Sequence, residues 1–282
     1  VRCHCYNFII YRAFIYYNPV NDFICLTGEQ IDGILITHEH SDHIQGLGVF
    51  SRKYSVPIYA TKGTIRGIQY YKSLGKMPEG IYHPIEKDEI FEIGDLKVKP
   101  FAISHDAYEP AGYRVEKEEK AVAVATDLGI YDDYIVQNLA SLNALVLESN
   151  HDVHMVEVGP YPYPLKRRVM GDKGHLSNKT TAKYLTKLIG DKTKNVILAH
   201  LSETNNTPEK AITAEGVDGV YIVKAGFILH IYNHLVLCID ESNLAVFHYS
   251  SKSLGEDPRF AIVVCLGINY NLSRIYIDVT TL

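Results

Sequence analysis

No cysteine lies between Leu26 and Gly226; all five, Cys3, Cys5, Cys25, Cys238 and Cys265, fall in the first 25 residues or the last 56. That absence excludes a disulfide scaffold and any thiolate metal ligand over the centre, and it reads as the thiol usage of a cytoplasmic protein. Cys3-x-Cys5 has no second ligand pair at zinc-finger spacing, so it is read as packed or solvated side chains. Long apolar runs are missing too. The most apolar stretch, Phe227 to Ile239, is broken by His230, Asn233 and His234, which leaves no candidate membrane span. Charge of one sign is scarce: 28 Lys and Arg against 33 Asp and Glu give a net charge of −5. Such a balance names no partner and disfavours indiscriminate binding of polyanions, while leaving local basic patches possible. The chain carries no internal repeat, no low-complexity tract and no small-residue cleavage pattern of a secretory signal. Its 282 residues suffice to bury roughly 70–75% of the unfolded surface without staples.

Charge is unevenly spread. The segments 1–25 and 227–282 are about 14% charged, against about 25% for 26–226. Three parts follow: an atypical N-terminal segment 1–25, a central domain 26–226 and an atypical C-terminal segment 227–282. In the centre, apolar strands run into polar, ionisable residues, the way α/β folds place chemistry at strand ends. Gly33 to Thr37 runs into His38, Ala121 to Ala125 into Thr126 and Asp127, Ala144 to Leu147 into Glu148, and Asn195 to Ala199 into His200. A helix is expected over Asn178 to Ile189, capped by Ser177, with Ala182, Leu185 and Leu188 or Ile189 on its apolar face. A second begins at Thr207-Pro208, a cap residue followed by proline at the first helical position.

The strongest chemical signal is Thr37-His38-Glu39-His40-Ser41-Asp42-His43 directly after a strand. Three imidazoles and a carboxylate within six residues converge if the backbone turns tightly, and that donor set suits borderline divalent ions. Further ligands should come from other strand ends, where His105, Asp127 and His200 are the candidates; each alone would be an ordinary turn residue. From Tyr161 to Lys187 the chain carries seven basic residues, Lys166, Arg167 and Arg168 among them, against one acid, Asp172. A phosphate backbone is a natural partner for that patch, although a solvated helix face would look much the same.

These motifs resemble those of the metallo-β-lactamase superfamily, and within it the bacterial WalJ (YycJ) family of DNA exonucleases. The likeness rests on Ile34 to Gly46, Val98 to Asp106, Ala125 to Gly129, Leu147 to Asp152, Gly174 to Asn178, and Ala199 to Ser202 with Asn205 to Pro208. It runs from about Leu26 to Gly226. The resemblance implies a four-layer αββα sandwich with two metals at one edge of its paired sheets; segments 1–25 and 227–282 do not match it, so the terminal strands are expected to be altered or incomplete. It further implies that His38, His40 and His105 hold one ion, Asp42, His43 and His200 the other, with Asp127 bridging. The ions would be Zn²⁺ or Mn²⁺. His175 resembles the general acid of related transfer-RNA-processing endonucleases, the alternative being that it only packs at a helix start, and Asp42 is counted as catalytic as well as ligating. Asn150, His151, Lys166, Arg167, Arg168 and Ser177 form the expected substrate-binding set. The implied activity is two-metal phosphodiester hydrolysis, as a 5′-to-3′ exonuclease on double-stranded DNA in the bacterial cytoplasm. A small-molecule or cyclic phosphodiesterase, another hydrolase of the fold, or an impaired metal-binding member are the alternatives.

Overall fold

Continuous apolar strands bury both faces, and the burial pattern of the central strands shows how. A computed structural model describes residues 31–190, 192–193 and 195–215, and the backbone of short strand pieces outside them. Two such pieces, β1 (Ala13–Phe14) and β2 (Cys25–Leu26), pair antiparallel. The described core begins with β3 (Ile34–Leu35), the short helix α1 (Ser41–Ile44), α2 (Leu47–Tyr54), β4 (Ile58–Thr61), α3 (Lys62–Tyr70) and β5 (Tyr82–Ile85). Then come β6 (Phe91–Ile93), β7 (Leu96–Ala102), β8 (Ala111–Lys117), β9 (Lys120–Ala125), α4 (Asp133–Asn138), β10 (Ala144–Glu148), α5 (Val153–Val158), α6 (Tyr163–Val169), α7 (Asn178–Leu188), β11 (Asn195–Ala199), α8 (Pro208–Glu215) and β12 (Val220–Ile222). Beyond them lie β13 (Leu229–His230), β14 (Val236–Asp240), β15 (Leu244–His248) and β16 (Val263–Val264).

The larger sheet has the order β12-β11-β10-β9-β8-β7-β6, parallel from β12 to β9 and antiparallel from β9 to β6. Successive side chains of a strand point to opposite faces. Val122, Val124, Ala144, Val146, Ile197 and Ala199 accordingly meet the smaller sheet, whose Ile34, Leu35, Ile58 and Ala60 share their cluster. Ala121, Ala123, Ala125, Leu145, Leu147, Val196 and Leu198 face the other way, onto Ile135 of α4, Leu185 and Leu188 of α7 and Ala211 of α8. Leu47 and Phe50 of α2 and Ile65 and Ile68 of α3 pack with the smaller sheet. Two sheets between two helical layers make the αββα sandwich of the mixed α/β class.

The smaller sheet runs β16-β3-β4-β5, all parallel, with Val263 opposite Ile34. Apart from the short pieces named above, the expected N- and C-terminal segments 1–25 and 227–282 lie outside the described residues. One detail of the expected α7 differs. Its buried face is Asn178, Thr181, Leu185 and Leu188, and Ala182 is only partly covered. Thr181 takes the inner position because its hydroxyl donates to Glu148 O, 2.7 Å away at the end of β10.

Candidate active site

The candidate ligands follow the ends of strands, directly or through the short helix α1, and the register of the strands brings these ends together. Leu147 pairs with Ala125 and Glu148 with Ala199, so Asp127, Glu148 and His200 emerge side by side. His38 and His40 follow β3 two residues apart, and their rings meet with centroids 4.6 Å apart. At His40 the chain turns: the His43 and Ile44 N–H groups donate to His40 O at 2.9 and 3.2 Å. This single helical turn, α1, carries Asp42 and His43 back toward the same point. His105 arrives from the loop after β7, which is tied to β3 where the Ala111 N–H donates to Thr37 O at 2.9 Å.

Two donor groups result. His38 Nε2 lies 3.0 Å from His40 Nδ1, and His105 Nε2 lies 3.3 Å from the same atom. Asp42, His43 and His200 form the second group, with ligand atoms within 4.8 Å of one another. Asp127 stands between them: Oδ1 is 3.7 Å from His105 Nε2 and 3.3 Å from His200 Nε2, and Oδ2 is 3.5 Å from His43 Nε2. Asp127 Oδ2 is buried and accepts no hydrogen bond. Imidazole nitrogens turned on one point at 3.0–3.3 Å match the roughly 3.3 Å edge of a tetrahedron with metal–nitrogen bonds of about 2.0–2.1 Å. The residues therefore suit a pair of divalent ions, three imidazoles for one and two imidazoles with a carboxylate for the other, sharing Asp127.

Electrostatics agree with that donor set. Burial, reinforced by the imidazoles of His43, His105 and His40, pushes His38 well below its usual pKa, so it is a neutral ligand. His105 is lowered by burial as well, against the pull of Asp127. Burial would raise Asp127, but His200 and His43 outweigh it and hold the carboxyl below its ordinary value. Neutral imidazole and ionised carboxylate are the states a metal requires. In His200 burial is overcome by Asp127 and Glu148, which raise it to about 9, so its imidazolium must release a proton when an ion binds.

The backbone holds two of these residues in an unusual shape. Asp127 and His200 have φ of 59° and 57°, the left-handed region that costs a side chain about 1 kcal/mol. Their neighbours fix it. Glu148 Oε1 accepts the Asp127 N–H and Oε2 the Leu128 N–H, each at 3.2 Å, while Asn150 Nδ2 donates to His200 O at 2.8 Å.

Glu148 is fully buried and collects more than any other site residue described: besides those two N–H groups, it accepts Leu176 N at 2.8 Å and lies 2.7 Å from His200 Nδ1 and 2.9 Å from His175 Nδ1. Burial would raise its pKa, yet the His175 and His200 imidazoles hold it far below the carboxylate range. Its role was missing from the expected site; the sequence signal was only an acid at the end of an apolar strand. Thr37 Oγ1, 3.1 Å from His38 Nδ1, and Gly174 O, 3.3 Å from His105 Nδ1, are further groups behind the ligands. Such partners fix tautomer and ring orientation.

A cleft of about 360 Å³ opens over the donors. His175 lines it, its ring 5.3 Å from that of His105 and 5.1 Å from that of His200, so it lies at the site as well as at the start of α7. Asn150, Arg168 and Lys173 line it too, and Arg168 is paired with Asp106. The other expected substrate residues are elsewhere. Lys166 Nζ donates to Glu157 O at 2.7 Å, and neither it nor Arg167 lines the cleft. Ser177 caps α7 through Thr180 N, and His151 is buried, its Nδ1 unpartnered and its pKa pushed down by burial to about 4. Among the described residues no helix is long and apolar enough to cross a membrane.

Residues 15–201 match the model of the β-lactamase superfamily domain, and the chain belongs to that family. With this fold and a His/Asp cluster suited to divalent ions, it is a metal-dependent hydrolase. Within the superfamily it is a member of the WalJ family. It is 41% identical over 181 residues to the exodeoxyribonuclease YycJ of Bacillus anthracis, covering 64% of this chain and 68% of that protein. It is 39% identical over 183 residues to the exodeoxyribonuclease WalJ of Streptococcus pneumoniae serotype 2 (strain D39 / NCTC 7466), covering 65% and 68%. Among solved structures, Zn(2+)-bound PqqB from Methylobacterium extorquens superposes with a TM-score of 0.55 at 19% identity, over 71% of this chain and 73% of that one, a likeness of fold.

Proposed function

We propose that the protein is a two-metal phosphodiesterase acting as a 5′-to-3′ exonuclease on double-stranded DNA in the cytoplasm. The observation that carries this reading is Asp127, placed between two donor groups that each suit one ion, under a cleft lined by Arg168 and Lys173. The names of the relatives support the DNA substrate.

Two divalent ions, Zn²⁺ or Mn²⁺, would supply a nucleophilic water near neutral pH and offset charge on phosphate oxygens. The chain's own groups do the rest. His38, His40 and His105 would hold one ion and Asp42, His43 and His200 the other. Arg168 and Lys173 attract and orient the backbone phosphate, the guanidinium exchanging Asp106 for phosphate oxygens. His175, its Nδ1 engaged by Glu148, presents Nε2 as the proton donor to the leaving oxygen. Asn150 keeps His200 in place through its carbonyl.

Duplex DNA labelled at its 5′ end, incubated with purified protein and Mn²⁺ or with a chelator, tests the proposal. Stepwise release of 5′ label as mononucleotides only with Mn²⁺ is expected. Intact DNA alongside hydrolysis of a plain phosphodiester ester would refute the exonuclease reading.

A further inference from the structure

Tyr70 and Tyr108 are each 62% exposed, and their rings lie 27° from parallel with centroids 6.4 Å apart. Two large aromatic faces left in water need a reason, and here the surroundings fix their spacing. Tyr70 is the last residue of α3, and the next residue, Tyr71, lines the cleft. Tyr108 stands two residues after Asp106, which lines it as well. The loop bearing Tyr108 is tied to the start of α3 and to Glu39, on which α3 itself packs. At the helix start, Glu109 Oε2 accepts Gly63 N at 2.7 Å, and Glu109 O accepts the Thr61 hydroxyl at 2.6 Å. Farther along, the Tyr108 N–H donates to Glu39 Oε1 at 2.8 Å, and Gly67 packs so closely that a Cβ there would lie 2.3 Å from Glu39 Cγ. Glu39 sits between the ligands His38 and His40. The tyrosine pair is thus referenced to the metal loop.

With centroids 6.4 Å apart and planes within 27° of parallel, the two rings are close enough for one unpaired base to touch both. Stacking on aromatic faces is how proteins hold unpaired bases regardless of sequence. Arg66, one turn back on α3, brings a cation beside Tyr70. An exonuclease working on a duplex must unpair the end to bring a terminal phosphodiester to buried ions, and it loses base stacking in doing so.

We infer that Tyr70 and Tyr108 clamp the unpaired terminal base of the strand being degraded, so that the enzyme's immediate substrate is a frayed end. This rests on the exonuclease reading above. The clamp gives sequence-tolerant affinity where an exonuclease needs it, and it replaces the stacking that the end gives up.

The test pairs protein variants with DNA ends. Blunt duplexes carrying either a normal 5′-terminal nucleotide or an abasic one are digested by the unsubstituted protein, by Tyr70→Ala and Tyr108→Ala, and by Tyr70→Phe and Tyr108→Phe. Each alanine variant should raise KM for the normal end about tenfold, with a smaller change in kcat, and each phenylalanine variant should restore it. On the abasic end the unsubstituted protein should lose the same factor and the alanine variants almost nothing further. Equal KM for all proteins on the normal end, or alanine and abasic losses that simply multiply, would overturn the clamp while leaving the exonuclease intact. No cleavage of either DNA by the unsubstituted protein would refute the exonuclease and the clamp together.

Discussion

Glu148 Oε1 lies 2.7 Å from His200 Nδ1, so a fully buried carboxylate orients the ring of a residue in the second donor group. The same atom meets His175 Nδ1 at 2.9 Å, which couples the second donor group to the proposed proton donor. Partners of this kind typically change metal affinity or activity by about 10- to 100-fold when lost.

Glu148→Gln keeps the size of the side chain but removes its charge. We expect kcat/KM to fall by about two orders of magnitude and the ion held by Asp42, His43 and His200 to bind more weakly. Steady-state rates with metal analysis check this; a change within twofold in both would contradict the assignment.

His175→Ala separates chemistry from binding. Removing a general acid costs about 10²–10⁴ in rate, and His175 is not needed in either ligand set. Both ions should remain by metal analysis while turnover collapses. Unaltered turnover would exclude His175 as the proton donor.

Gly67→Ala should destabilise the protein, although alanine is the better helix former by about 0.5–1 kcal/mol. The new Cβ would come within 2.3 Å of Glu39 Cγ, and overpacking of that kind costs about 1–3 kcal/mol. A lower thermal midpoint with weakened metal binding is expected, because Glu39 separates His38 from His40. A midpoint that rises would show that the contact is not tight.

Asp152 caps α5, its carboxylate accepting Met155 N at 2.9 Å with Lys210 at 3.4 Å. Burial would raise its pKa, but the N–H and the ammonium hold it below the ordinary carboxylate value. A depressed folded-state pKa means stabilisation that is present above the unfolded value of about 3.9 and lost as pH falls through the folded one. Asp152→Ala should therefore cost about 1 kcal/mol at pH 7 and progressively less in acid, by denaturant titration at several pH values. An equal cost at pH 7 and in strong acid would contradict this.

Much of the larger sheet was legible in the chain. Ala121 to Ala125, Ala144 to Leu147 and Asn195 to Ala199 read as strands because burial on both faces leaves unbroken apolar runs. Ser177 and Pro208 marked the starts of α7 and α8 through their cap chemistry. The antiparallel strands β6 to β8 were less visible, since the exposed Glu92 and Lys97 and the partly covered Glu116 interrupt the apolar pattern. The clustered candidate donors His38, His40, Asp42 and His43 were visible within Thr37 to His43, where proximity in sequence is proximity in space. Glu148 did not, because its importance arises from the register that sets it beside Ala199 and from the return of the chain at Leu176. Lys166 and Arg167 read as one patch with Arg168, yet a helix distributes consecutive residues around its axis, and only Arg168 reaches the cleft.

The place of Asp127 between the two donor groups predicts a two-ion centre that cleaves phosphodiesters. Stripping the protein of metal, titrating Mn²⁺ back and recording bound ions per chain against nucleotide release from duplex DNA tests it most directly. Activity that rises to a plateau at two ions per chain, with Asp127→Ala failing to retain both, is the predicted result. Full activity in metal-free protein, or two bound ions in Asp127→Ala with undiminished cleavage, would contradict the account.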